Sequence, residues 1–421
     1  MVCRVFGSTG LAAKVVIPDF KLAPDELSAD GQWYGAYQVR HGVSIDRDTE
    51  TAADSRLYTT EAVPAGTRFH CEVIVENGSD ADKGLVLLGL RAFEKKLVTL
   101  GGGSSRGLGQ VQLTITDCQE IPAGGSGLID FLVSGDRLPV DEAARLGKIT
   151  ALRADLRENW GCKMHKRRFN EFTLSFTIRP QGPLLIKSGQ ESGADPTLLD
   201  MNFVRTHHSG LGNSTVYLPG SSLKGTLRSY AEKVARTLGE EKGTHFPPFS
   251  CNPLGTSASP GRTDYYCGKY LDKKGEQADK HRLACPICRT FGHTSLASHL
   301  RLSDAYPLDP LEPERMTWFE EANETEERDG VAIDRVSGAV AVGPFNLEVV
   351  TKGAFQGTLT LSNFQLWQLG LLAIVLRDLG QGRVPIGFAK SRGLGRVAVD
   401  YNRAEVAYPG RFRAEAAGHD L

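Results

Sequence analysis

The turn residues Pro219–Ser222 are followed by apolar residues at the spacing of a helix. The apolar positions that follow are spaced by four, three, four and four residues: Leu223, Leu227, Tyr230, Val234 and Leu238. This spacing predicts a helix with Ser221 or Ser222 as its N-cap and with Lys224 and Gly225 in its first turn. Free first-turn amides, hydroxyls and a lysine favour phosphate binding, and the alternative is an ordinary capped helix. A nucleotide-binding P-loop is disfavoured because the lysine precedes the glycine.

Alternating apolar and polar residues predict strands in three further segments. Residues 69–75, 172–178 and 355–361 show this alternation, and residues 85–97 and 364–379 have helical patterns. The order strand, helix, two strands, helix, strand is a βαββαβ unit, which places the protein in the α+β class. A four-stranded sheet backed by two helices is the shape of RRM-like RNA-binding domains. The aromatic strands on which those domains stack bases are missing, so binding on the sheet face is not supported.

Three short stretches occur twice in the same order, which indicates an internal duplication. The pairs are separated by 285, 288 and 286 residues. They are Cys3–Gly7 with Cys288–Gly292, Gly42–Arg47 with Gly330–Arg335, and Ser105–Gly109 with Ser391–Gly395. The first copy begins at the element that stands about a hundred residues into the second copy. It therefore resembles the back half of a unit, and its front half belongs to another chain or to a larger polypeptide.

These copies predict the domain organisation. Residues 1–118 form the half unit, residues 119–170 a linker, residues 171–400 a complete unit, and residues 401–421 a C-terminal tail. The linker contains a glycine-rich hinge at 123–127 and a short helix at 140–156. It also contains a dense basic run, which is either a solvated face or a phosphate-binding segment: Lys163, His165, Lys166, Arg167 and Arg168.

Four of the eight cysteines cluster with the spacing of a metal site. Cys285 and Cys288 form a Cys-x-x-Cys knuckle, and Cys251 and Cys267 lie upstream in a polar insertion at about 246–290. Four thiolates predict a structural zinc ion that holds this insertion together. His281 and His245 are alternatives to Cys251 or Cys267 as ligands, and a redox role is disfavoured because no strand leads into the knuckle. The first copy retains only Cys3 of this set.

Composition and charge limit the kinds of partner and the cellular location that this chain can have. The chain has 421 residues, a hydrophobic content of 40% and a net charge of −1, so a nucleic-acid surface would have to be a local patch. There is no signal-peptide pattern, no apolar run of membrane-spanning length and no expected membrane contact. The cysteine spacing favours a reducing compartment, and we expect a cytoplasmic protein.

The loop between the opening strand and the Pro-Gly-Ser-Ser helix carries Asp195, Asp200, Arg205, His207 and His208. Asp195 precedes a proline and fits a turn. Asp200 lies between Leu199 and Met201, where a turn residue is unexpected, which makes it a better candidate for a functional role than Asp195. Such a group can bind a divalent cation or position an attacking 2′-hydroxyl. The adjacent histidines titrate in the range of acid–base catalysis, and the alternative is that they are surface residues.

The other repeated elements carry arginines. The Gly-Val-x-Ile-Asp-Arg stretches end at Arg47 and Arg335. Each leads into small and β-branched residues, 49–63 and 336–350, that predict a projecting β-hairpin. In the alternative, these arginines pair with the neighbouring aspartates. Each Ser-Arg-Gly-Leu-Gly loop suits phosphate binding through backbone amides and guanidinium groups, namely Arg106 in the first copy and Lys390 and Arg392 in the second.

Taken together, these motifs resemble the RAMP superfamily, specifically the backbone subunits of type III CRISPR effectors of the fused kind. The resemblance rests on the loop aspartate, Leu218–Gly225, Cys-Arg-x-Phe-Gly, Ile-Asp-Arg and Ser-Arg-Gly-Leu-Gly, in that order. It implies ferredoxin-like units with "thumb" hairpins that bind a guide crRNA, pair it with a complementary target RNA and cut the target where a thumb displaces a nucleotide. In the family the catalytic aspartate is followed by an arginine at a fixed distance, and Asp200 and Arg205 stand in that relation. The usual proline after the aspartate is replaced by Asn202-Phe203.

The resemblance assigns roles to the residues singled out above. Asp200 is expected to be catalytic with Mg or another divalent ion, and zinc to be structural. The expected RNA-binding residues are Ser221, Ser222, Lys224, Gly225, Arg228, Arg205, Arg47, Arg335, Arg106, Lys390 and Arg392. Expected partners are the guide RNA, the target RNA, and other RAMP subunits or domains, one of which supplies the missing front half. The alternatives are a non-catalytic RNA-binding scaffold and an endoribonuclease that processes precursor guide RNA through His207 or His208.

Overall fold

The fold is described from a computed structural model of the chain. The description covers residues 1–27, 37–47, 49–121, 124, 126–161, 170–189, 201–208, 211, 214–240, 248–259, 263–272, 277–309 and 316–407.

Helices and strands alternate along the chain in a mixed α+β arrangement. The helices are α1 Val2–Phe6, α2 Asp80–Glu94, α3 Ser126–Ser134, α4 Glu142–Glu158, α5 Gly220–Glu240, α6 Cys267–Leu271, α7 Gln277–Leu283, α8 Pro286–Phe291, α9 Thr317–Asn323 and α10 Leu366–Gly380. The strands are β1 Val15–Val16, β2 Lys21–Leu22, β3 Gln38–Ile45, β4 Ala52–Ala62, β5 Phe69–His70, β6 Ile74–Val75, β7 Arg106–Gly107, β8 Gln119–Glu120, β9 Leu138–Pro139, β10 Glu171–Pro180, β11 Arg205–His207, β12 Ser214–Val216, β13 Leu300–Ser303, β14 Glu326–Ile333, β15 Val340–Val349, β16 Phe355–Ser362 and β17 Val397–Ala407.

The chain forms two compact units that interleave along the sequence. The first unit comprises residues 1–33, 68–102 and 109–166. The second comprises residues 34–67, 103–108 and 167–421. The hairpin and the glycine loop of the first sequence copy thus belong structurally to the unit built around the second copy. The domain bounds at 118 and 170 stay a prediction.

The second unit is built on a sheet in the order β17-β10-β16-β13-β7. Neighbouring strands are antiparallel except for β7, which runs parallel to β13. With α5 between β10 and β13 and α10 between β16 and β17, the chain follows the predicted βαββαβ order. Residues in β16 alternate between buried and half-buried, as the sequence pattern predicts for a sheet with one face on the core. The buried residues of α5, such as Leu223 and Leu227, pack on this face.

In the first unit α2 packs against α4, and both helices are near their predicted positions. Helix α2 has a capping box in which Ser79 and Asp82 exchange hydrogen bonds with each other's backbone amides. The predicted strand at 69–75 is instead two short strands, β5 and β6, which pair with β2 and β1. Residues 69–75 pair with strands on one edge only, among the described residues of this unit.

The two copies adopt the same local conformations, which supports the duplication. Helices α1 and α8 both end at a glycine with positive φ, Gly7 at 78° and Gly292 at 80°. Each of these glycine amides donates to the carbonyl oxygen of the cysteine four residues earlier. The strand pairing Val15↔Val75 of the first unit recurs as Leu300↔Leu361 in the second.

Two hairpins are present, β3–β4 and β14–β15, which we call the first and second hairpins. The predicted bounds, 49–63 and 336–350, were wrong: each of these segments supplies only the second strand, and the Gly-Val-x-Ile-Asp-Arg stretch before it forms part of the first strand and the turn. Their tips have the same turn. Asp46 Oδ1 accepts from the amide of Thr49, and Asp334 Oδ1 accepts from the amides of Val336 and Ser337. The repeated aspartates are therefore turn formers rather than partners of the neighbouring arginines.

Candidate metal centre and nucleic-acid interface

The N-terminus of α5 already holds an anion from within the protein. The amide of Gly220, the first residue of the helix, donates to Asp304 Oδ1 at 2.8 Å. Asp304 Oδ2 accepts from Arg40 Nη2 at 2.6 Å and from the Tyr306 hydroxyl at 3.2 Å. The helix begins at Gly220, so the prediction of Ser221 or Ser222 as N-cap was wrong: a carboxylate 84 residues away in sequence takes that role.

Sequence reasoning missed Asp304, although a signal was present. Asp19 in the first copy and Asp304 in the second are separated by 285 residues, the same separation as the Cys-Arg-x-Phe-Gly pair. The aspartate therefore belongs to the duplicated pattern. In the second unit it joins the start of α5 to the first hairpin through Arg40.

The predicted first-turn residues of α5 differ in exposure. Ser221 and Gly225 are exposed, and Ser222 is half-buried. Lys224 is buried, and its Nζ donates to Ser298 Oγ at 2.8 Å and to the carbonyl oxygen of Leu300 at 3.1 Å. Burial, helped by nearby arginines, lowers the pKa of Lys224 to about 7. The ammonium points into the protein rather than toward the surface where a phosphate would lie.

Two predicted RNA-binding arginines converge on one buried carboxylate. Glu232 on α5 has a side chain that is 1% exposed. It accepts from Arg228 Nε at 2.9 Å, from Arg47 Nε at 2.8 Å and, more weakly, from Arg236 Nη2 at 3.4 Å. Because a buried carboxylate needs such partners, Arg228 and Arg47 have a structural role here. Arg47 thereby fastens the tip of the first hairpin to α5.

The second hairpin has the same motif in different surroundings. Arg335 is exposed and has no ion-pair partner within the part of the chain that the structure describes. The adjacent Val336 is 98% exposed. The structure therefore presents one hairpin tip that is docked on α5 and one that projects into solvent. Of the two repeated arginines, Arg335 is the one available to a ligand.

The glycine loops place their cations at the surface. Arg106 is exposed, and its Nη1 donates to the hydroxyl of Tyr58 at 2.9 Å. Lys390 Nζ lies 3.6 Å from Glu50 at the first hairpin tip, in a weak and half-exposed pair. Arg392 is exposed and stacks over the ring of Phe388 at 5.5 Å. These side chains are held in place yet remain open to phosphate oxygens.

The predicted catalytic Asp200 lies outside the described residues, as do Asp195, His245 and the basic run at 163–168. The residue that follows it is fixed. The amide of Met201 donates to the carbonyl oxygen of Asn346. The amide of Glu348 in turn donates to the carbonyl oxygen of Met201. The end of the loop that carries Asp200 is thus bound to β15, a strand of the second hairpin.

Arg205 and the histidines end this same loop. Arg205 forms an ion pair with Glu348 and donates to Asn323 Oδ1 at 3.2 Å, so it holds the base of the loop against the hairpin. His207 is exposed. His208 is half-buried against the ring of Tyr306, and burial lowers its pKa. A histidine kept neutral and packed in this way is poorly suited to donate a proton.

Cys251, Cys267, Cys285 and Cys288 form a buried cluster in the second unit. Their sulfur atoms all lie within 4.8 Å of one another, and those of Cys251 and Cys288 are 3.5 Å apart. In a tetrahedral Zn–thiolate site with Zn–S bonds of about 2.3 Å, neighbouring sulfurs are roughly 3.8 Å apart. Amides of Cys285 and Cys288 donate to cluster sulfurs, which stabilises thiolates. These four residues therefore fit a metal ion such as zinc.

The alternative ligands do not join this cluster. His281 stacks on His299 with ring centroids 5.2 Å apart and is not part of the four-residue group. Arg228 Nη2 lies 3.8 Å from Cys288 Sγ, so the guanidinium that pairs with Glu232 also faces the thiolates. A positive charge at this position offsets the negative charge of a four-thiolate metal site.

Among the described residues, no helix combines the length and the apolarity that crossing a bilayer requires.

Comparison with known proteins gives two findings. A model of the RAMP superfamily matches residues 1–112 and 177–398. The "CRISPR system Cms endoribonuclease Csm3" of Methanocaldococcus jannaschii is 28% identical over 119 residues, which are 26% of this chain and 46% of the relative. The chain thus spans about half the length of the curated relative it matches. The family match covers both sequence copies.

Proposed function

This chain belongs to the RAMP superfamily, and we propose that it is a guide-RNA-binding backbone component of a type III CRISPR effector that also cuts the paired target RNA. The observation that carries the proposal is the family match over both copies, together with the similarity to a relative named as an endoribonuclease. On this proposal each copy is a ferredoxin-like unit with its own thumb hairpin, the first being a half unit. The partners are the guide crRNA, a complementary target RNA and further RAMP subunits or domains, in the cytoplasm.

The surface cations are the proposed contacts with the guide. Arg392, Lys390 and Arg106 lie on the glycine loops, and Arg335 is at the free hairpin tip. A few phosphate contacts of this kind suffice for sequence-independent, salt-sensitive binding, which is what a chain that must accept any guide requires. The amides and hydroxyls of Ser221, Ser222 and Gly225 are further proposed contacts. Arg47, Arg228, Arg205 and Lys224 act instead by positioning these surfaces through the internal contacts described above.

Cleavage is assigned to Asp200. Support comes from Met201, which ties the end of its loop to β15. If a projecting hairpin displaces one target nucleotide, the loop would lie near the exposed phosphodiester. There a carboxylate can orient the 2′-hydroxyl for attack on the adjacent phosphorus, with the P–O5′ bond breaking and the 5′-oxygen leaving as a hydroxyl, or it can hold a divalent cation such as Mg. When bound, such a cation would stabilise the charge that develops on the phosphate. Zinc at the four cysteines is proposed to be structural and takes no part in this step.

The test is target cleavage by the assembled, guide-loaded complex with wild-type chain or with Asp200→Ala. The proposal predicts that one cleavage product disappears while guide binding is retained. If all products persist, the chain is a scaffold. A processing endoribonuclease would instead cut repeat RNA without a target, and His207→Ala or His208→Ala would stop it. The burial of His208 disfavours this residue in that role, whereas His207 is exposed.

A further inference from the structure

The first unit contains part of the sheet found in the second unit. Strands β1 and β2 pair with β6 and β5, and the register Val15↔Val75 corresponds to Leu300↔Leu361 in the second unit. The residues 69–75 are thus equivalent to β16. In the second unit, the other edge of β16 is covered along its whole length by β10. Among the described residues of the first unit, no strand covers that edge.

A second segment of the first unit, residues 111–117, also lacks a strand equivalent to β10 among the described residues. In the second unit β10 lies between β16 and β17. The segment equivalent to β17 begins at Val111, because Gly109 matches Gly395 and Val397 begins β17. Residues 111–115 alternate between half-buried and exposed, as a strand does, yet 111–117 pair with no strand among the described residues. By equivalence with the second unit, one strand would pair with both of these segments.

The apolar surface of the first unit corresponds to positions that are buried in the second. Phe69 is 46% exposed, whereas its counterpart Phe355, which pairs with Ile178 of β10, is fully buried. Ile17 is 53% exposed, and its counterpart Leu302 is 3% exposed where it faces α5. The duplication thus identifies what covers each position: a strand like β10 and a helix like α5.

A polar residue marks where that helix would begin. Asp304 accepts from the first amide of α5, and its counterpart Asp19 is exposed and has no hydrogen-bond partner among the described residues. A carboxylate at this position matches the unsatisfied amides of a helix N-terminus. The first unit therefore presents both the exposed apolar residues, Ile17 and Phe69, and the carboxylate, Asp19, that a strand and a helix would cover.

We propose that the first unit is a docking surface for a strand–turn–helix segment of a partner polypeptide. Its strand, about ten residues with alternating apolar side chains, inserts between 69–75 and 111–117, antiparallel to 69–75. Its helix begins near Asp19 and covers Ile17 and α1. A second copy of this chain is not the occupant, because its own β10 and α5 are already buried in its second unit. The proposal rests on the duplication and does not depend on RNA cleavage.

The test uses the full chain co-expressed with a tagged probe polypeptide of residues 170–240 of the same sequence, the known complement of the equivalent surface. We expect a one-to-one complex, with slowed amide hydrogen exchange in both 69–75 and 111–117 and no change in 355–362. Ile17→Asp should abolish the complex, and Asp19→Ala should weaken it about tenfold, the effect of losing one charge-assisted hydrogen bond. Ile129→Asp, an exposed apolar residue on α3, is the matched control and should bind normally.

Three results would overturn the proposal. The first is no complex, or a complex without slowed exchange in the two segments. The second is equal binding by Ile17→Asp and wild type. The third is concentration-dependent dimerisation of the chain alone that protects the same amides, which would make a second copy the occupant. None of these readouts involves RNA, so failure of the RNA-cleavage proposal would leave the result intact.

Discussion

The buried pair between Arg40 and Asp304 should be the strongest attachment of the first hairpin to the rest of the second unit. Their side chains are 14% and 3% exposed, and the Nη2–Oδ2 distance is 2.6 Å. Removing one member of such a pair leaves the other charge buried without compensation, which costs about 3–5 kcal/mol. Asp304→Ala also removes the acceptor for the amide of Gly220, a helix cap worth about 1 kcal/mol. We expect a total loss of roughly 4–6 kcal/mol in the free energy of unfolding.

A double-mutant cycle separates the two contributions. Arg40→Met combined with Asp304→Ala should cost at least about 2 kcal/mol less than the sum of the single changes, because neither charge is then left alone. The measurement is urea denaturation followed by circular dichroism. Hydrogen exchange in β3 and β4 would report whether the hairpin is released. Lys352→Met, which removes an exposed pair with Glu324, is the control and should cost less than about 1 kcal/mol. A cost below about 1 kcal/mol for Asp304→Ala, with no coupling to Arg40, would refute the reasoning.

Three other predictions follow from the site. Because the pKa of Lys224 is lowered to about 7 in the fold, the unfolded chain binds more protons above that pH. Stability should therefore rise by a few kcal/mol from pH 7 to pH 10, and Lys224→Met should remove that rise in denaturation curves. Elemental analysis should find one zinc per chain, lost in Cys285→Ser with a lower melting temperature but retained in Cys118→Ser; retention in both would disprove the metal site. Arg47→Ala should destabilise the protein by a few kcal/mol, whereas Arg335→Ala should change stability by less than about 0.5 kcal/mol while weakening RNA binding; equal effects would contradict the docked and free hairpins.

Local patterns predicted local structure well. The spacing of Leu223 and Leu227 predicted α5, and the alternation along 355–361 predicted β16, because periodicity reports which face is buried. The cysteines were found for a chemical reason: four thiolates with a Cys-x-x-Cys knuckle suit few roles other than binding a metal. In each of these cases the information lies within one segment or in the identity of the ligands.

Contacts between distant segments were not predictable in the same way. The sequence around Ser221 favours a serine cap, yet Asp304 supplies it from another strand. Arg47 and Arg335 end the same motif, yet among the described residues only Arg47 meets a buried carboxylate, Glu232 on α5. The surface that a hairpin tip contacts depends on residues far away in the sequence, so the local motif does not predict it. Burial of Lys224 has the same origin, since its partners follow it by more than seventy residues.

We propose that this chain binds guide RNA through its exposed glycine loops and free hairpin. Binding of a labelled, guide-length RNA to the full chain should be measured across a series of salt concentrations, with DNA of the same sequence as competitor. We expect the affinity to fall linearly with salt on a log–log plot, RNA to bind in preference to DNA, and the salt slope to be smaller in Arg392→Ala. Equal binding of DNA, or a salt slope unchanged by Arg392→Ala, would contradict it.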